Sequence, residues 1–176
     1  HKQIENMPLF VNNYVDFNKF DVIYDFGTMK LTGLEGEISV QVSDALKWTG
    51  KLNIEDYKPA AETQSWFKPK MRISSDFMYA ITKQLTLNAA VAIQDDSKAK
   101  IYNAAPANPY LLPDLANEQV VTVKGFVDLG AGANYKINIK FSAFIRANNL
   151  LGKKYSKYLY YDAIGTSVFG GVAYSF

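Results

Sequence analysis

The sequence has no cysteine and a single histidine, His1. Disulfides, thiolate metal sites and thiol nucleophiles are thereby excluded, as are His-cluster metal sites and triads built on an imidazole. An excess of one charge is also lacking: 19 Lys and Arg stand against 17 Asp and Glu, a formal charge of +2 over 176 residues. No global field therefore draws a nucleic acid or an acidic substrate to the chain. No apolar run of about eighteen residues is present, which removes a transmembrane helix but not a membrane, because transmembrane strands need only about nine to eleven residues with one apolar face. Such strands leave hydropathy near neutral, in keeping with the mean hydropathy of −0.12. The chain starts at His1 without Met, a basic n-region or an apolar h-region, so it reads as a mature product or as a piece of a longer chain.

A hydrophobic content of 48% excludes compositional disorder and suffices for one domain over residues 1–176. Alternation with period two runs through most of that length. At the end, Val168, Gly170, Val172, Tyr174 and Phe176 share one side of an extended strand, opposite Ser167, Phe169, Gly171, Ala173 and Ser175. The same test predicts strands over 34–42, 46–55, 70–81, 85–94, 121–135 and 139–148, with an apolar face on one side and most of the charge on the other. A weaker strand covers Gln3 to Val11, where Pro8 argues for an edge or a strand end.

Connections alternate in length. Ser43-Asp44-Ala45, Thr82-Lys83-Gln84 and Lys136-Ile137-Asn138 are tight, whereas 12–18, 58–64, 98–118 and 149–165 are long. Three-residue turns preserve face parity and place Val42 opposite Leu46, Ile81 opposite Leu85 and Tyr135 opposite Ile139. Arithmetic then predicts three opposite-charge pairs on the polar face, Glu37 with Lys51, Lys70 with Asp96 and Asp128 with Arg146. It also puts Phe144 opposite Gly130, where a ring covers a residue without a side chain.

Alternation alone does not orient the faces. Three observations favour an apolar exterior. Gly36, Gly50, Ala89, Gly125, Ala131, Ala133 and Ala143 pad the apolar side, which suits fluid lipid better than a packed core. Trp48, Tyr79, Tyr135, Phe141, Tyr174 and Phe176 gather near the tight turns, as an interfacial girdle does. The opposite side carries Glu35, Glu37, Lys51, Arg72, Asp128 and Arg146, as a wet lumen does. The expected fold is an all-β, antiparallel, up-and-down transmembrane β-barrel of about eight strands, either closed on itself or part of a larger barrel.

The stretch from Val121 to Phe176 resembles the C-terminal strands of TonB-dependent outer-membrane receptors. The residues that carry the likeness are Val127-Asp128-Leu129-Gly130 with Ala133-Asn134-Tyr135, then Phe141-Ser142-Ala143-Phe144, then Asn148-Asn149-Leu150-Leu151-Gly152-Lys153-Lys154-Tyr155, and the close Gly170 to Phe176. Residues 36–42 and 66–69 are similar to upstream barrel segments of such receptors. The resemblance implies a Gram-negative outer-membrane location and uptake of an iron chelate, cobalamin or an oligosaccharide. It implies partners as well: outer-membrane lipid, the barrel assembly machinery reading Tyr174 and Phe176, and the TonB complex acting through a plug not seen in this sequence. Such receptors have about 22 strands, so the chain is expected to be the C-terminal segment of a longer receptor. A small standalone outer-membrane barrel and a soluble ligand-binding barrel are the alternatives.

Candidate chemistry is sparse, and neither an enzyme nor a cofactor is expected. Glu35 and Glu37 form a carboxylate pair on one face, but Lys51 opposite makes ordinary lumen charge the better reading. Asp95-Asp96 lacks the regular oxygen spacing of a Ca²⁺ loop, and residues 125–132 lack the strand-to-helix step of a phosphate cradle. Tyr155, Tyr158, Tyr160 and Tyr161 crowd the last long loop, with Tyr57 and Trp66 near another. These aromatics either stack on a small-molecule or glycan ligand or form the outer girdle and loop packing. A nucleic-acid surface is disfavoured because the basic cluster is short.

Overall fold

The structure is a computed structural model, and it describes residues 1–13, 16, 18–102 and 118–176. Twelve strands and no helix occur among the described residues: β1 (Lys2–Asn12), β2 (Phe20–Gln41), β3 (Leu46–Lys58), β4 (Met71–Ala80), β5 (Leu85–Gln94), β6 (Ser97–Tyr102), β7 (Glu118–Val123), β8 (Phe126–Lys136), β9 (Phe141–Asn148), β10 (Ser156–Tyr158), β11 (Tyr161–Asp162) and β12 (Ser167–Tyr174). Eight of them form one antiparallel sheet in the order β1-β2-β3-β4-β5-β8-β9-β12. Two small hairpins, β6-β7 and β10-β11, are inserted in the long loops. The meander is therefore up-and-down throughout, as the alternating loop lengths predict. Its two edges, β1 and β12, share no ladder, so the described sheet is open.

The tight turns share one construction. In the first, the Val42 N–H donates to Leu46 O at 2.8 Å, while the Ser43 hydroxyl accepts from the Leu46 N–H at 3.1 Å. Thr82 does the same for Leu85 at 2.9 Å. Asn138 Oδ1 accepts from Lys140 and Phe141 N–H at 2.9 and 3.0 Å. A short polar side chain at the first turn position satisfies the backbone donors that the turn frees. The third turn is consequently Asn138-Ile139-Lys140, two residues later than expected, and Tyr135 lies opposite Ala143 rather than Ile139. An even shift keeps every side chain on its face but changes every partner. Phe144 thus stands opposite Asn134 and not Gly130. The ring still covers a glycine, on its other side: a Cβ at Gly171 would come within 2.9 Å of Phe144 Cε1.

The expected strand over 121–135 is broken. Val123 ends β7, and β8 begins at Phe126 after a close approach at Gly125, where a Cβ would lie 2.4 Å from Gln94 O. The Gly125 N–H donates to the Asp96 carboxylate at 2.7 Å, fixing the break.

No helix or second layer covers the apolar face of the described sheet. Leu34, Ile38, Val168 and Val172 are all exposed, Val172 at 76%. Buried apolar residues lie elsewhere, at the long-loop end: Leu9, Val11, Met29, Trp66, Phe67, Ala99 and Val123 form a single cluster, with Met7, Ile23 and Tyr57 packed against it. The strands of the meander thus extend from an uncovered sheet into a cap with an ordinary core.

Candidate functional site

The polar face of the sheet forms a trough of about 400 Å³ lined by Glu35, Glu37, Lys51, Arg72, Asp128 and Tyr155 among others. Alternation explains the strand part of the lining, since Glu35, Glu37, Lys51, Arg72 and Asp128 alternate with apolar positions on their strands, while Tyr155 comes from the last long loop. Glu37 and Lys51 are cross-strand partners with a contact of 3.0 Å. Arg72 reaches Glu55 on the neighbouring strand at 2.7 Å. The Glu37–Lys51 pair is more than half exposed, so it sets the potential of the trough more than its stability.

The other two predicted pairs are not made. The β4–β5 ladder ends at Arg72 and Gln94, which frees Lys70 and Asp96 to turn elsewhere. Lys70 contacts Asp56 at 3.5 Å, and Asp96 contacts Lys124 at 3.5 Å. Asp128 lies far from Arg146 in register because of the displaced third turn. Arg146 stands opposite Gly132, with its guanidinium 5.9 Å from the Phe144 ring.

Asp128 instead anchors the last long loop. Its carboxylate accepts from the Asn149 N–H at 3.1 Å and from the Tyr155 hydroxyl at 2.8 Å. The Tyr155 ring stacks on Phe126 at 4.0 Å with an interplanar angle of 13°. Burial, with the neighbouring Asp128 charge, pushes the Tyr155 hydroxyl up to about 12, so it stays a proton donor. Asn149 takes φ 48°, and its side-chain amide donates to Lys153 O at 2.9 Å, closing the turn that carries Tyr155 back to the sheet.

A second anchor holds the segment between β3 and β4. Asp25 is fully buried and accepts from the backbone N–H groups of Ala60, Ala61 and Glu62 at 2.8, 2.7 and 2.8 Å. Burial acts to raise its pKa, but the three N–H donors outweigh that and hold the carboxyl below its ordinary value. Glu62 in turn accepts from Trp66 Nε1 at 2.9 Å and from Lys100 at 3.1 Å, and the Lys100 ammonium sits 5.6 Å from the Trp66 ring centre. Nothing in the sequence pattern singles out Asp25, because a buried carboxylate inside a strand looks like any polar position.

The predicted ligand aromatics separate into distinct environments. Trp66 is buried at 1% exposure and serves the cap, so its ring presents no face to a ligand. Tyr57 is half-buried under Lys68, whose ammonium lies 5.9 Å from the ring centre. Tyr158 packs against Phe20 and Phe67 at 5.6 and 5.3 Å. Tyr161 stacks on Phe20 at 5.0 Å, and its hydroxyl donates to Asn18 O. Tyr160 takes φ 69° and is 52% exposed. Phe10, Phe20, Phe67, Tyr158 and Tyr161 thus form one continuous aromatic cluster, partly open on its surface, and the Tyr155–Phe126 stack is separate from it. At the tight-turn end Tyr174 rests between Phe141 and Phe176, at 4.7 and 5.2 Å. Among the described residues no group of three or more His, Cys, Asp or Glu is placed to hold a metal ion.

No protein-family model and no curated protein matches the chain. Solved structures do. The ferripyoverdine receptor FpvA of Pseudomonas aeruginosa superposes with a TM-score of 0.72 at 17% identity, over 98% of this chain and 23% of that one. The siderophore receptor PiuA of Acinetobacter baumannii gives 0.65 at 19%, over 97% and 24%. The ferric-catecholate import receptor Fiu of Escherichia coli K12 gives 0.63 at 14%, over 97% and 23%. The chain has the fold of an outer-membrane receptor barrel wall. It spans about a quarter of the length of the receptors it matches. Its exposed apolar face and its charged trough are the two faces of that wall.

Proposed function

We propose that the chain is the C-terminal part of the transmembrane barrel of a TonB-dependent receptor in a Gram-negative outer membrane, taking up a scarce nutrient. The observation that carries this reading is the uncovered apolar face backed by a charged trough, in a wall that superposes on siderophore receptors over nearly its whole length. An iron chelate is the favoured cargo, since the matched receptors are described as binding or importing such compounds. Cobalamin or an oligosaccharide would engage the same geometry with different loops. The open edges of the described sheet support a place in a larger barrel over a closed eight-stranded one.

In this reading the wall performs no covalent chemistry. Asp128 and Asp25 fix the outer loops, the aromatic surface around Tyr158 and Tyr161 meets cargo, and the trough faces a plug supplied by other sequence. Energised release passes through that plug and the TonB complex. Tyr174 and Phe176 serve as the strand end engaged by the assembly machinery. The test is uptake of a radiolabelled ferric siderophore by cells carrying the full-length receptor, with and without the energy-coupling complex. Accumulation that requires both is expected; accumulation indifferent to the coupling complex overturns the proposal.

A further inference from the structure

The lipid face does not end with its last aliphatic residues. β2 and β3 are paired without a register break from Lys30↔Lys58 to Gln41↔Lys47. Lys30 therefore shares the face of Leu34, and Lys58 that of Ile54. The two lysines are directly opposed across the ladder, with Cβ atoms about 5 Å apart, a like-charge arrangement that destabilises a strand pair. Both are exposed, and neither joins an ion pair among the described residues. The acid nearest on the same face of β3, Asp56, is engaged by Lys70 at 3.5 Å. On β1, Glu5 stands opposite Thr28, one outward-facing position beyond Lys30, and forms no described ion pair with it.

Farther along this face comes an aromatic zone. The ladder between β1 and β2 shifts register between Glu5 and Met7, yet Asp25 and Met29 are both buried on the inner side, so the even positions of β2 stay outward across the irregularity. Phe26, Tyr24 and Val22 are 71%, 51% and 51% exposed, and Phe10, paired with Val22, is 53% exposed. Tyr24 and Phe26 have ring centres 6.3 Å apart. Along β2 the spacing is about 13 Å from Leu34 to Lys30 and about 20 Å from Lys30 to Tyr24, at roughly 3.3 Å per residue. One face thus presents aliphatic, dicationic and aromatic zones in that order.

We propose that Lys30 and Lys58 bind the phosphate of a phosphorylated glycolipid in the outer leaflet. Its acyl chains lie along Leu34, Ile38 and Ile54, and its sugars lie against Tyr24 and Phe26. Each zone matches one part of such an amphiphile: apolar area for chains, paired ammonium groups for the phosphate, and ring faces for the apolar side of a sugar. A free phosphate would need neither flanking zone, and a glycerophospholipid would leave the aromatic one idle. The inference rests on the membrane reading of the previous subsection.

The test places the full-length receptor in phosphatidylcholine nanodiscs doped with lipopolysaccharide, with dephosphorylated lipopolysaccharide, or with lipid A lacking core sugars, and counts retained glycolipid by native mass spectrometry. The wild-type protein is expected to retain lipopolysaccharide. Lys30→Gln and Lys58→Gln are each expected to weaken retention about fivefold. Tyr24→Ser is expected to weaken binding of lipopolysaccharide but not of lipid A. Heat-modifiable gel migration verifies that each variant is folded and inserted. Lys30→Gln should raise the melting temperature in pure phosphatidylcholine and lower it with lipopolysaccharide present, a reversal that simple relief of repulsion does not give. Equal retention by wild-type and the double variant, or displacement by millimolar inorganic phosphate, overturns the inference. A receptor that inserts and transports but shows no preference for phosphorylated lipid fails this inference alone. One that stays soluble without detergent fails the membrane reading as well.

Discussion

The two ends of the same strands are held together by different physics. At the level of the tight turns and the central sheet there is no buried side-chain core among the described residues: backbone ladders bind each strand to the next, and the apolar face is left uncovered. At the long-loop end the same β1 and β2 pack with the segment between β3 and β4 and with β6 and β7 in a buried apolar cluster, next to a fully buried carboxylate and the enclosed Glu62–Lys100 pair. Side-chain truncation should therefore be costly in the cap and mild in the wall, even where the residues are equally hydrophobic.

The largest expected effect is in the cap. Trp66→Ala removes the largest buried ring and leaves Glu62 and Lys100 without their aromatic neighbour, costing about 4 kcal/mol of local stability. Limited proteolysis of the full-length protein should then cut the segment between β3 and β4, while heat-modifiable migration of the barrel persists. Loss of the barrel along with the cap would erase the distinction between the two regions.

Asp25 sharpens the comparison through pH. Its carboxyl is held below the ordinary value by three backbone donors, so the stabilisation is complete above about pH 4 and is lost as pH falls through the lowered folded value. Amide exchange at Ala60, Ala61 and Glu62 should accelerate on acidification below about pH 4, ahead of exchange in β4 and β5. Asp25→Asn should abolish that acid dependence and weaken the segment by about 2 kcal/mol.

On the wall, chemistry should matter more than volume. In the proposed membrane setting, Ile38→Lys places a charge on the apolar face and should cost about 2 kcal/mol, whereas Ile38→Ala should cost under about 1 kcal/mol because no cavity forms. Unfolding in denaturant from lipid vesicles measures both. The smallest effect belongs to Glu37→Gln, which removes the 3.0 Å contact to Lys51 from a solvated pair and should change stability by less than about 1 kcal/mol. A larger loss would mean that the trough is drier than the described exposure indicates.

The wall was the legible part of the sequence. Each predicted strand there has one uncovered apolar face and one polar face, so period two is clean, and the eight strands of the main sheet are those that alternation picks out. The cap was not legible, for the same physical reason reversed. In Asp21-Val22-Ile23-Tyr24-Asp25-Phe26 both faces carry apolar residues, because one packs on the core while the other stays outward. The alternation test therefore missed the first half of β2. The expected loop over 98–118 contains parts of β6 and β7, and its centre lies outside the described residues. The third turn was misplaced although its signal was present. Ser43 and Thr82 open the first two turns, and Asn138 is the residue of like chemistry that should have opened the third. Of the candidate site, the Glu37–Lys51 pair and the loop tyrosines were readable, while the two carboxylate anchors depend on where distant backbone donors fold.

The three-residue turns, each begun by a short oxygen-bearing side chain, bear on how such walls can change over time. Deleting or adding two residues beside a turn slides the adjoining strands without exchanging inside for outside, and the Ser, Thr or Asn can be re-established at the new corner. Altering the count by one turns a strand inside out and puts lysines and glutamates on the apolar face. Length variation at this end of related walls should accordingly come in even steps.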